Sequence, residues 1–315
     1  MIEIHSTRLF PKDQGAAQYR LTGIAKRCDW IVLTDKAAPH THVIKRSRGT
    51  PPKTIFLSLR GQRAALRFFV EKVLPQLTAP FTLVSGSEDT TIPNQIDARM
   101  EVFNAQALED VATILNHVHL KAWVAENLDD ASHTKLHPLP LGMVFNDEPY
   151  VRDLIAIPPP SPLSERPLKA LCGHRVRPGD QWEARRKVSA LAKHAWGDRC
   201  TVLETDLSEE SFINLVSDHT FVICVEGGGI DPSPKAWLAL LYGAIPIIKQ
   251  SALDGAYGRL PVAFVDDWTD NALSIERLMR WKEDLSPFFD QPGLRRSVLK
   301  RLGVNYWWDY IVTRA

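Results

Sequence analysis

The unbroken apolar run "FVICV" at residues 221 to 225 cannot turn either face to water, so it reads as a strand covered on both sides. "IPIIK" (245 to 249) has the same character and follows an apolar helix-like segment, "WLALLYG", that closes at Gly243. The alternation extends along the chain. Ahead of residue 155 come "DWIVLTD" (29 to 35), "KTIFLSL" (53 to 59) and "APFTLVSG" (79 to 86), separated by helix-like pieces such as "GQRAALRFFVEKVLPQL" (61 to 77). Beyond it come "LKALCG" (168 to 173), the helix-like "WEARRKVSALAKHAWG" (182 to 197), "CTVLET" (200 to 205) and the helix-like "SEESFINLVSDH" (208 to 219). Strands alternating with helices imply parallel sheets with both faces covered, and both halves read as Rossmann-like α/β domains.

A run of five prolines between Pro158 and Pro167 separates the halves. Proline fixes φ and removes a donor, so this piece is expected to be extended and to act as the hinge. The expected domains are residues 1–156, a linker at 157–167, a second domain at 168–293 and a C-terminal helix at 294–315. In that helix Leu294, Val298, Leu299 and Leu302 keep helical spacing. Trp307, Trp308 and Tyr310 would anchor it to the first domain, with a membrane-surface patch as the alternative reading.

Composition removes several function classes. With 38 basic and 37 acidic side chains the formal charge is +1, so nothing in bulk charge favours nucleic acid or an anionic membrane. Cys28, Cys172, Cys200 and Cys224 stand far apart with no C-x-x-C pair, which argues against a zinc module or redox dithiol and suits a reducing compartment. No apolar run approaches the roughly 20 residues that span a bilayer, and a cytoplasmic protein is expected. The histidine pairs His40/His42 and His117/His119 lack further ligands nearby, so no metal is assigned. Neither a Gly-x-Ser-x-Gly elbow nor H-E-x-x-H occurs.

In open parallel sheets ligands bind beyond the carboxyl ends of strands, and "EGGGIDPSPK" (226 to 235) is such a loop. Gly227, Gly228 and Gly229 permit positive φ and close backbone approach to a ligand. A helix is expected to start near Ser233 with Pro234 at its first position, its N–H groups and dipole favouring an anion. The loop is not a P-loop, because Lys235 is flanked by Pro234 and Ala236, and not a dinucleotide fingerprint, because Pro232 stands where the third glycine belongs. A purely structural glycine turn remains open.

The residues that follow extend the pattern. Gly227, Gly229 and Asp231, then Trp237, Ala239, Leu240, Gly243, Ile245 and Pro246, and finally Val265, Asp266, Asp267 and Trp268 resemble the donor-binding domain of exostosin-like glycosyltransferases, a family of GT-B architecture. The likeness runs over about 50 residues and is looser elsewhere. In the first half, Trp123 to Asn127 and Pro138-x-Pro140-x-Gly142 resemble a further segment of that family. Two departures touch the chemistry: Lys235 replaces an arginine, losing the planar fork, and Leu238 replaces the glutamate that contacts the donor ribose.

The resemblance implies two Rossmann-like domains facing a cleft and a metal-independent transfer from a nucleotide-sugar donor, which serves as substrate rather than cofactor, to a glycan or glycoconjugate hydroxyl. Bacterial polysaccharide assembly is the expected setting. Donor-binding candidates are Arg177, Arg185, Glu226, Gly227, Gly228, Gly229, Asp231, Ser233 and Lys235, the cations meeting the diphosphate. Arg186, with Glu183 and Lys187 paired at i, i+4, reads as a surface face. Asp89 and then Glu88, at the end of "FTLVSGSED", are the candidate general bases, or else belong to a polar turn. The alternatives are a catalytically silent binding or scaffold protein on the same fold, suggested by Leu238, and a nicotinamide-dependent oxidoreductase, disfavoured by the broken fingerprint.

Overall fold

The structure, a computed structural model, describes residues 1–10, 21–34, 41–47, 49–144, 151–152, 161–179 and 182–314. The chain is α/β and divides into two compact units. The first comprises Glu3–Val151, Gly228–Asp231 and Gly303–Ala315; the second comprises Met1–Ile2, Arg152–Gly227 and Pro232–Leu302. Strand β1 (Ile2–Glu3) pairs with β8 (Val151–Arg152) in a two-stranded sheet.

The first unit is built on a six-stranded sheet of β2 (Trp30–Leu33), β3 (His42–Lys45), β4 (Thr54–Ser58), β5 (Phe81–Gly86), β6 (Leu120–Ala125) and β7 (Leu136–Pro138), in the order β3-β2-β4-β5-β6-β7. All neighbours are parallel except β2 and β3. Every residue of β2, β4 and β5 is buried, which is why these runs show no polar alternation. Helix α1 (Gln62–Phe68) continues as a π turn to Val73 and a 3-10 turn to Gln76. Helix α2 (Ala105–Leu115) starts where the Asn104 side chain accepts the Ala107 N–H at 2.9 Å.

The second unit carries a wholly parallel sheet of β9 (Ala170–Cys172), β10 (Cys200–Val202), β11 (Phe221–Ile223), β12 (Ile245–Lys249) and β13 (Ala263–Val265), ordered β10-β9-β11-β12-β13. Helices α3 (Glu183–Lys193), α4 (Glu209–Asp218), α5 (Lys235–Leu241), α6 (Asp254–Tyr257), α7 (Ile275–Leu285), α8 (Pro287–Asp290) and α9 (Pro292–Arg301) belong to it. Trp196, Trp237 and Trp268 are fully buried. Trp237 meets Tyr257 edge-on at 6.0 Å and donates its indole N–H to the Leu302 carbonyl at 3.2 Å.

Three local expectations change. Helix α5 starts at Lys235 rather than near Ser233, because the Ser233 hydroxyl pairs with the Tyr257 hydroxyl at 2.7 Å and the capping residue is Pro234, which offers no side-chain acceptor. The C-terminal segment is two helices, not one: Gly303 breaks α9 from α10 (Val304–Val312), which belongs to the first unit. There Trp307 is fully buried, with its ring 5.6 Å from that of His5, whereas Trp308 is only half-buried.

Residues 157 to 160 of the proline-rich stretch lie outside the described residues, but 161–167 pack onto the second unit. Leu163 is buried in a 3-10 turn, and the Arg166 guanidinium donates to the carbonyls of His219 and Gly243, both at 2.9 Å. A buried arginine holding two carbonyls converts the end of the expected linker into structure. Arg166→Ala leaves those carbonyls unmet, and about 2 kcal/mol of stability is expected to be lost. A fall in the urea midpoint with an unchanged slope would report it.

Candidate functional site

In the second unit, residues that follow the neighbouring parallel strands β9 and β11 meet the start of α5 around a cavity of about 310 Å³. This is the carboxyl edge of the sheet, where α/β folds place their ligands. Arg175, Arg177, Arg185 and Lys235 supply its charge, and Trp182 and Leu238 are among its other walls. Among the described residues no aspartate or glutamate lines it.

Each cation is held by the local fold. The Lys235 ammonium, at the first residue of α5, donates to the Gly173 carbonyl at 3.0 Å. Burial pushes its pKa down to about 8, with Arg185 pushing the same way and the Cys224 and Cys172 thiols opposing. The Arg185 guanidinium, on α3, donates to the carbonyls of Glu226 at 3.0 Å and Arg175 at 3.1 Å, and lies 4.7 Å over the Trp182 ring. Arg177 sits 5.8 Å from the same ring. His174 is fixed beneath them, its Nε2 near the Arg185 carbonyl (2.9 Å) and the Ser189 hydroxyl (3.0 Å). Burial, helped by Lys235 and Arg185, pushes its pKa down to about 4, so it adds no charge at neutral pH. The expected Glu183–Lys187 pair does not form, since Lys187 reaches Asp267 at 3.1 Å instead. Arg186 donates to the Gly179 carbonyl at 2.8 Å.

The glycines do something other than expected from sequence. A side chain on Gly227 would collide with the Arg185 guanidinium. Gly228 and Gly229 belong to the first unit, where a side chain would strike Arg99 and Asp89 at the one and Asn127 at the other; Gly229 also has φ +61°. All three make room for protein side chains. The segment is stitched down by the Asn127 amide oxygen, which accepts the N–H groups of Ile230 (2.9 Å) and Asp231 (3.0 Å), and by Asp97, which accepts that of Gly229 (2.9 Å). Asp231 is buried and accepts the Leu141 N–H at 2.9 Å. So of the nine donor-site candidates, Arg177, Arg185, Ser233 and Lys235 line the cavity, while Glu226 and the three glycines do not, and Asp231 is committed to holding the loop.

The first unit gathers its own polar cluster beyond the carboxyl ends of the neighbouring strands β5 and β6. Asp89 is bonded through Oδ1 to Arg8 at 3.5 Å and through Oδ2 to Arg99, which also holds Asp97 at 2.9 Å. Burial would raise the Asp97 pKa, but the hydrogen bonds from Arg99 and from the Gly229 N–H outweigh it and the pKa falls. Glu88 is half-buried, its carboxylate 3.5 Å from the Asp89 N–H. Glu126 is fully buried; its Oε2 accepts the Thr7 hydroxyl at 2.5 Å and the Ser87 N–H at 2.8 Å. Burial pushes its pKa up to about 7 despite Arg8, Thr7 and Ser87. Ser87 and Asn127, both at positive φ (74° and 52°), end these two strands abruptly.

Sequence reading missed Arg8, Asp97, Arg99, Glu126 and Trp182. Glu126 and Asn127 had a usable signal, two polar residues directly after a mostly buried strand; Arg8 had none, because its partner Asp89 is 81 residues away in sequence, whereas Arg99 stands two residues after its partner Asp97. The half-buried His117 and His119 rings lie 5.7 Å apart, tilted by 59°, and His40 lies outside the described residues. Among the described residues no helix is long and apolar enough to cross a membrane.

No protein-family model and no curated protein matches the chain. Solved structures similar to it include a spinosyn rhamnosyltransferase SpnG complexed with thymidine diphosphate, 15% identical over 80% of this chain and 68% of that one, TM-score 0.31. An alpha1,3-fucosyltransferase is 12% identical over 82% and 71%, TM-score 0.34. The lipopolysaccharide outer core galactosyltransferase WaaB is 12% identical over 80% and 75%, TM-score 0.38.

Proposed function

We propose that the protein is a glycosyltransferase that moves a sugar from a nucleotide-sugar donor to a hydroxyl of a glycan or glycoconjugate, without a metal, in bacterial polysaccharide or glycoconjugate assembly. One observation carries the reading: three guanidiniums and a lysine ammonium line one cavity at the carboxyl edge of a parallel sheet, with no carboxylate among its described walls. Such a lining suits a diphosphate. It also suits the chemical step, in which an acceptor hydroxyl attacks the anomeric carbon, the bond from that carbon to the diphosphate oxygen breaks, and the oxygen leaves with the electron pair. Arg177, Arg185 and Lys235 would stabilise that developing charge. A carboxylate would take the acceptor proton. The candidates are Asp89, both of whose oxygens are held by guanidiniums, and then Glu88.

Calorimetric titration of the full-length protein with nucleoside diphosphates tests the reading. Binding is expected, together with release of diphosphate in the presence of donor and acceptor; binding without any turnover would instead support a silent binding protein. The affinity has an expected pH profile as well. The diphosphate keeps its charge above pH 7, its last ionisation lying near ~6, whereas Lys235 loses its proton near 8. Affinity should therefore hold up to pH 7.5 or so and then fall by up to about tenfold per pH unit above 8. The free protein should behave oppositely. Because the folded pKa lies below the ordinary 10.5, the unfolded chain binds more protons between 8 and 10.5, and stability rises with pH across that interval. Lys235→Arg, charged throughout, should flatten the affinity profile; a wild-type affinity unchanged to pH 9.5 would remove Lys235 from the site.

A further inference from the structure

Lys235 is a cation set among cations and neutral groups. Around it stand the Arg185 guanidinium on α3, the Cys172 thiol at the end of β9, the Cys224 thiol just after β11 and the His174 ring. Burial pushes the Cys172 thiol up to about 11 and the Cys224 thiol up to about 12, so both stay protonated and uncharged at neutral pH. His174 is neutral there as well. Arg175 and Arg177 line the same cavity. The Lys235 Nζ makes one hydrogen bond, to the Gly173 carbonyl at 3.0 Å, and among the described residues no carboxylate pairs with it.

This placement favours an uncharged amine and, beyond that, an anion on the same nitrogen. Burial and the repulsion of Arg185 lower the Lys235 pKa, so at pH 8 about half of it is the neutral, nucleophilic form. An anion carried by that nitrogen would turn the repulsion of Arg185 into attraction and find guanidinium N–H donors on the same wall. Carbon dioxide makes this conversion without an oxidant, reductant or further co-reactant. The amine nitrogen bonds to its carbon, one C–O π bond becomes a lone pair on oxygen, and the nitrogen releases one proton to solvent, leaving a carbamate. A cavity of about 310 Å³ has ample room for a molecule of that size.

We propose that Lys235 is a carbon dioxide site, its amine forming a carbamate that the neighbouring guanidiniums hold and that closes the cavity to diphosphates. The modification stands whatever the cavity binds; its effect on donor binding rests on the reading of the cavity as a nucleotide-sugar site. The side chain goes from +1 to −1, which sets a negative group into a wall whose charge comes from Arg175, Arg177, Arg185 and Lys235. A bound diphosphate in turn holds Lys235 as the ammonium, which cannot attack. Ligand and carbon dioxide therefore exclude each other.

The test equilibrates the full-length protein at pH 8 with carbon-13-labelled bicarbonate and carbon dioxide, then ethylates the carbamates with a trialkyloxonium salt. Peptide mass mapping is expected to find the ethyl carbamate on Lys235, and carbon-13 NMR a carbamate resonance that Lys235→Arg lacks. The α-amino group, titrating near ~8, reacts in both proteins and serves as the internal standard. Inorganic pyrophosphate or uridine diphosphate is expected to suppress the Lys235 adduct. Calorimetry in the same buffer should show the apparent Kd for either compound raised by the inverse of the unmodified fraction, about threefold where two thirds of the chains carry the carbamate. Equal weakening in Lys235→Arg would mean that bicarbonate merely competes as an anion, and overturns the closure. An unmodified Lys235 in a protein that binds the diphosphates overturns the inference and leaves the nucleotide reading in place. A carbamate on Lys235 in a protein that binds neither compound upholds the site and overturns that reading. Should Lys235→Arg fail to fold, the peptide map of the unaltered protein still decides.

Discussion

Lys235→Ala is expected to weaken nucleoside diphosphate binding about 100-fold at pH 7, the range for losing a charge-assisted hydrogen bond from a partly dry site. The lysine Nζ has three protons, one of which goes to the Gly173 carbonyl at 3.0 Å. Among the described residues no carboxylate lies within ion-pair distance of it. A cation pushed toward neutrality by burial gains more than an exposed one when an anion arrives, so truncation removes both the contact and the charge. Titration calorimetry reads the affinity, and a melting curve separates it from misfolding: removal of a partly desolvated charge should leave the melting temperature level or higher. Affinity within threefold of wild type would show that the ligand site lies elsewhere.

Gly229→Val is expected to cost about 3 kcal/mol or more, the larger of the stability effects considered. The position has φ +61°, where a β-branched residue costs ~1–2 kcal/mol, and the added methyls would displace Asn127, with an overpacking cost of ~1–3 kcal/mol. Asn127 then loses the N–H groups of Ile230 and Asp231. Chemical denaturation should show the loss. Gly293→Ala, in a helix with open space around it, is the control and should change little or stabilise slightly. A Gly229→Val protein as stable as wild type would mean the loop does not hold the conformation described.

Both sheets were legible from the apolar runs, because a strand buried on two faces shows a contiguous apolar signature and β4, β5 and β11 carry it. Strand order was not legible: β9 lies between β10 and β11, and no residue of the three encodes that by itself. The cations of the cavity could be read because Arg177, Arg185 and Lys235 follow strands or open helices in a parallel fold. The glycine loop was ambiguous in sequence for a physical reason. Glycine marks a close approach, and sequence does not say whether a ligand or a guanidinium does the approaching. The acid cluster illustrates the other limit: Glu88 and Asp89 stood out as acids at a strand end, but the arginines that occupy Asp89 sit at positions 8 and 99.

Residues Gly228–Asp231 fold with the first unit although they interrupt the second, and the helix from Val304 does the same at the chain's end. The chain therefore crosses between units four residues at a time in mid-loop as well as between Val151 and Arg152. A gene cut there would not yield two exchangeable cassettes, since residues 3–151 alone lack the backbone amides that Asn127 and Asp97 hold. Exchanging whole halves would therefore require matched changes at positions 97 and 127 and in the glycine loop.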